Sequence, residues 1–211
     1  MTITTTPAQA RTDVTTPVAV AATGSHVRRT GAFVAVGSLI WAASMAAVNP
    51  QSTADLDVLI TDLGAIPFQL SLFALVTMQL RTAATGTSRV ARGMLRTEYA
   101  LLTLATIWTV LHGLVPSFRD DAWLAVLDAF WPLSMLGMFI IGVKIAFAGR
   151  WRGPARFWPL VAESWAVVSV PAFGILGASA GRFVGAGHLL IGYVALGLLL
   201  ALRPHLTGAR D

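Results

Sequence analysis

Asp62, Asp128 and His188 are ionisable residues set 66 and 60 positions apart, each about five or six residues inside the start of a strongly apolar stretch. His112 closes another such stretch, just ahead of Pro116. Carboxylates and imidazoles placed together can bind a cation or a proton, and with suitable convergence they can ligate zinc or haem iron. An ionisable side chain at the centre of a hydrocarbon layer raises the insertion free energy by about 2.5 to 3.5 kcal/mol, so each needs a partner or a purpose. With a helical rise of roughly 1.5 Å per residue, these groups are expected about 9 Å below one face of the membrane. Asp62, His112, Asp128 and His188 are therefore the candidate ligand- or ion-binding set. Thr103, Thr106 and Thr109 lead towards that level at three-residue steps, and Gln69 stands seven residues after Asp62 on the same helical face. The competing expectation is that the hydroxyls bond their own helix carbonyls and that the His and Asp groups only pair across helices.

A second polar set lies at the opposite depth. Lys144 and Glu163 flank one turn and are expected to form a structural ion pair, while Glu98 is close enough to a border to meet Arg96 or water. No catalytic residue is assigned. The chain has no cysteine, which removes disulfides, thiolate zinc sites, iron–sulfur clusters and cysteine nucleophiles. It has no HExxH spacing and no glycine-rich phosphate loop followed by a soluble helix. The residues thus specify neither a metal nor a cofactor.

The elements that must carry these groups follow from composition. Of 211 residues, 55% are hydrophobic and 12% charged, and the mean hydropathy is +0.70; soluble domains carry roughly 25% charge. Stretches long enough to cross a layer about 30 Å thick recur. They place six transmembrane helices at roughly Gly31–Val48, Asp57–Leu80, Thr97–Val115, Ala122–Ala148, Phe157–Leu176 and Arg182–Leu202. The fold expected is an all-α polytopic membrane bundle over residues 31–203, between a disordered tail (1–30, without the pattern of a secretory signal) and a short tail (204–211).

Arginine placement sets the orientation. Twelve of the 14 arginines precede the first span, fill the loops after the second and fourth, or end the chain, whereas Arg119 and Arg182 fall on the other side beside Asp55, Asp57, Asp120 and Asp121. Positive residues close to spans stay inside, so both termini are expected to be cytoplasmic. The net charge of +5 is then a topological signal and not a nucleic-acid one. The single lysine beside 14 arginines, with abundant Ala, Val, Gly and Leu, suggests a GC-rich bacterial genome and so a plasma-membrane location. Trp123, Trp151 and Trp158 stand at borders where aromatic anchors sit.

Small residues set the packing. The first span carries Gly37, Ser38, Ala42, Ala43, Ser44, Ala46 and Ala47, which fits it for the bundle interior. The sixth carries Gly181, Gly185, His188, Gly192 and Ala195 on one stripe, suited to a contact inside the bundle and also able to serve a homo-oligomer or membrane partner. Beyond the lipid bilayer, no partner is specified. Three functional readings follow: a small-solute or ion carrier or receptor with an outward-facing polar site; a metal- or haem-binding membrane enzyme, with His112 and His188 as haem ligands; and a structural or accessory subunit. The first accounts best for four titratable groups at one depth.

Overall fold

A computed structural model describes residues 22–49 and 52–210. The chain is all-α, 84% helix and without strands among the described residues. Four helical stretches are long and apolar enough to cross a membrane: Gly24–Ala47, Asp55–Arg81, Ala122–Ala148 and Pro154–Leu202. The elements are α1 (Gly24–Ala47), α2 (Asp55–Arg81), α3 (Arg89–Leu114), α4 (Ala122–Asp128), α5 (Phe130–Ala148), α6 (Pro154–Glu163), α7 (Trp165–Leu189) and α8 (Ala195–Leu202), with a π-helical turn at Leu190–Val194 joining the last two.

Two helix starts follow local capping more than hydropathy. The Thr23 hydroxyl accepts from His26 N, so α1 begins seven residues before the apolar stretch, and residues 24–30 are helix where a tail is expected. Ser88 caps α3 in the same way through Ala91 N, drawing Arg89, Arg92 and Arg96 into its first turns. The gap between α4 and α5 has a covalent cause. Pro132 has no N–H to give the carbonyl of Asp128, four residues back, and its ring crowds that carbonyl, so the helical hydrogen bonding is interrupted just after Asp128 while Ala129 keeps helical φ −59° and ψ −21°.

The longest apolar stretch is folded on itself. At Gly177 the backbone takes φ 73° and ψ 168°, inside α7, and the chain reverses. Contacts pair residues symmetrically about that point: Trp165 Nε1 donates to Gly185 O at 3.0 Å, Ser164 Oγ meets His188 Nε2 at 3.1 Å, and Trp158 Nε1 donates to Ile191 O at 3.1 Å. The small stripe is spent inside this hairpin. A Cβ on Gly181 would lie 2.8 Å from Phe173 Cα, and one on Gly192 would lie 2.8 Å from Ala162 Cα.

Between the hairpin and α2 runs α1, with its small face inward. Gly31, Val34, Gly37, Ser38, Trp41 and Ala42 are buried, whereas Phe33, Val36, Leu39 and Ile40 face outward. Small side chains inside and large apolar ones outside suit lipid surroundings, where close backbone approach holds helices together. The described chain ends meet: Gly24 N donates to Arg210 O at 2.8 Å, and Arg210 N donates to Ala22 O at 3.2 Å. Trp151, expected as an interfacial anchor, is instead 1% exposed, its Nε1 donating to Thr82 Oγ1 at 3.1 Å and so tying two loops together at this same end.

Candidate functional site: a tryptophan-lined cavity

At the end of the bundle away from the paired termini, a cavity of about 310 Å³ opens between α1, α2, α3, α5 and α7. It contains three of the four expected site residues. Asp62 on α2 is 7% exposed and takes a 2.7 Å hydrogen bond with Nδ1 of His112 on α3. Gly113 makes this approach possible, since a Cβ there would lie 2.8 Å from Asp62 Cβ. The imidazole is stacked on Trp108 one turn back, with centroids 4.6 Å apart. Asp128 is exposed on the cavity wall at the break that Pro132 imposes.

Arg119, in the connection after α3, holds the rim. Its Nε donates to His112 O at 2.9 Å and its Nη1 to Asp55 Oδ1 at 2.6 Å, joining the end of α3 to the start of α2. The acceptor it occupies on α3 is one of the carbonyls a helix leaves unbonded at its C-terminus.

The floor is aromatic, a feature that residue spacing does not reveal. Trp41, Trp131 and Trp165 line the cavity beside Trp108. Trp41 lies 5.3 Å from Trp131 and 4.9 Å from Trp165, and stacks on Phe68 at 4.6 Å. Two of the rings are locked by hydrogen bonds, Trp165 to Gly185 O and Trp131 to Thr109 Oγ1 at 3.2 Å. Thr109 also accepts from Gln69 Nε2 at 2.8 Å and donates to Ala105 O at 3.0 Å. The threonine series is thus divided: Thr103 and Thr106 bond only their own helix carbonyls, and Thr109 is a junction between helices. The only signal for the aromatic floor in the sequence is seven tryptophans in 211 residues.

His188 lies elsewhere. It is eleven residues beyond the reversal at Gly177, bonded to Ser164, and does not line the cavity. The helix after the reversal starts before Arg182, so a depth counted from Arg182 places this histidine too close to the membrane face. His112 and His188 therefore occupy separate surroundings and do not form the expected haem-ligand pair. Among the described residues, no group of three His, Asp or Glu side chains is close enough to hold a metal ion.

The expected Lys144–Glu163 ion pair does not form. Lys144 is exposed on the outer side of α5, while Glu163 is 1% exposed and accepts from Gln79 Nε2 at 3.1 Å. Glu98 is likewise 1% exposed and accepts from Ser134 Oγ at 2.5 Å instead of reaching Arg96 or water. Two glycines of α5 make room for these carboxyl groups. A Cβ on Gly142 would lie 2.5 Å from Glu163 Oε2, and one on Gly137 would overlap Glu98 Oε2. Because glutamine keeps an oxygen that can accept from Gln79 Nε2 and has no charge to bury, Glu163→Gln is expected to melt at or above the wild-type temperature. Glu163→Leu should lose about 1 to 3 kcal/mol by stranding the Gln79 amide. Thermal unfolding of the two purified variants compares them, and equal loss in both would refute this account of the pair.

No family model, curated protein or solved structure matches the chain.

Proposed function

We propose that this is a bacterial plasma-membrane protein of six spans with both termini in the cytoplasm, and that it holds a small solute or ion in the outward-facing cavity as a carrier or receptor. The observation that carries the reading is the cavity itself: Asp62, His112 and Asp128, from α2, α3 and the α4–α5 break, converge on one space with four indoles. Asp62 is buried there, and a buried ionisable group facing a cavity in a membrane bundle is a costly feature that ligand or ion handling accounts for. The reversal at Gly177 divides the last apolar stretch into two crossings, and α3 supplies a further one. The arginine-rich loops then share the end where the chain ends meet. A metal- or haem-dependent enzyme has less support, because His188 lies outside the cavity. An accessory role resting on the small-residue stripe has less support as well, since that stripe is used within the hairpin.

The absence of native cysteine makes a direct test available. Ser117→Cys, beyond α3, and Ser52→Cys, on the cavity wall, should react with a membrane-impermeant maleimide in intact cells. Thr87→Cys, at an exposed position before α3, should react only after permeabilisation. Labelling of Thr87→Cys in intact cells would overturn the orientation, and a Ser52→Cys that labels only from the inside would remove the outward cavity.

A further inference from the structure

We infer that the ligand of this cavity is a small organic ammonium ion, held by indole faces with the exposed Asp128 as its counter-charge, Asp62 being already bonded to His112. The inference rests on the cavity being a solute site and adds the chemical class. Its lining residues include two carboxylates and four tryptophans and neither arginine nor lysine. The N–H groups of Trp131 and Trp165 are already committed to Thr109 and Gly185, so these two lining rings have no free donor for a ligand.

Such a wall attracts a cation, because an indole face carries negative quadrupolar potential, and the attraction grows where water is excluded. The nearest arginine strengthens the argument by its engagement. Arg119 is held by Asp55 and the His112 carbonyl, and it leaves Asp128 on the wall. Asp57, Asp120 and Asp121 stand at this same end of the bundle, so the approach is acidic and favours cations before contact. Size separates an organic cation from a bare ion. A space of about 310 Å³ falls at the small end of organic-ligand pockets, and the described residues hold no metal-binding group of three.

The test uses the full-length protein in lipid nanodiscs and reads tryptophan fluorescence during titration with tetramethylammonium chloride, tert-butanol as its neutral counterpart of similar shape, and sodium acetate, each at constant ionic strength. Tetramethylammonium should give a saturable change that the other two do not. Asp128→Asn, at an exposed position, should weaken it about tenfold, the equivalent of roughly 1.4 kcal/mol, with unchanged far-ultraviolet circular dichroism. Trp108→Leu should weaken it without altering the far-ultraviolet circular dichroism. Equal binding of tert-butanol, or preference for acetate, would overturn the ammonium assignment and leave the cavity a solute site. No saturable response to any of the three, in protein whose Ser52→Cys counterpart labels from outside, would overturn both.

Discussion

Gly197→Ala should destabilise the protein by about 1 to 3 kcal/mol, the range for forcing an extra methyl group into a packed interior. The two helices here meet backbone to backbone. A Cβ on Gly197 of α8 would lie 2.5 Å from Ala35 N and 2.6 Å from Gly31 O of α1. The relation is reciprocal, for a Cβ on Gly31 would lie 2.5 Å from both Ala201 N and Gly197 O. Backbone atoms in the middle of helices cannot rotate away, so the helices must move apart. Their association in lipid depends on close van der Waals contact with little hydrophobic drive to compensate. Gly197→Leu should leave no monodisperse folded protein. Gly187 and Gly93 provide the control, since a methyl group added at either would meet nothing within 4 Å; alanine at either should hold or slightly raise stability through helix propensity. Denaturation of the three alanine variants in mild detergent makes the comparison. An unchanged midpoint for Gly197→Ala would mean that α1 and α8 do not cross this closely.

How far such contacts can be read from residues alone depends on their range. Apolar runs are a local signal, and they mark the turn near Gly177 and most helix ends within a few residues, but α1 and α3 start seven and eight residues earlier than the apolar stretches do. The Asp62–His112 contact is within reach because both depths can be counted from nearby loop borders. His188 escapes the same count, since the helix leaving Gly177 begins before Arg182 and lowers every later residue. Gly31 and Gly197 carry no spacing signal relative to each other, as they meet only when the first and last helices become neighbours. The tryptophans of the cavity share this difficulty: each sits on a different element, and only the assembled bundle makes one floor of four separate residues. Lys144 is a clearer physical lesson. Opposite charges at similar depth do not suffice for a pair when α5 turns one of them outward and a neutral amide from α2 already occupies the other.

His112→Leu should cost more than Asp62→Asn, although both remove the same hydrogen bond. Leucine keeps much of the ring's volume but leaves the Asp62 carboxyl, whose side chain is 9% exposed, without its donor and pressed against Gly113. A bond to a charged group contributes about 1.5 to 3 kcal/mol, and stranding the buried partner takes the loss towards the upper end. Asparagine at 62 retains the shape and can still bond the imidazole, which is 26% exposed and open to water from the cavity. The loss there should stay near 1 kcal/mol, about the ordinary size of a neutral hydrogen bond. The double variant His112→Leu with Asp62→Asn should then be more stable than the sum of the single losses, because the amide needs the imidazole less than the carboxylate does. Denaturation of all four proteins closes the cycle. Strict additivity would show that Asp62 and His112 contribute independently, and the proposed cavity site would then have to be rebuilt around Asp128 and the indoles alone.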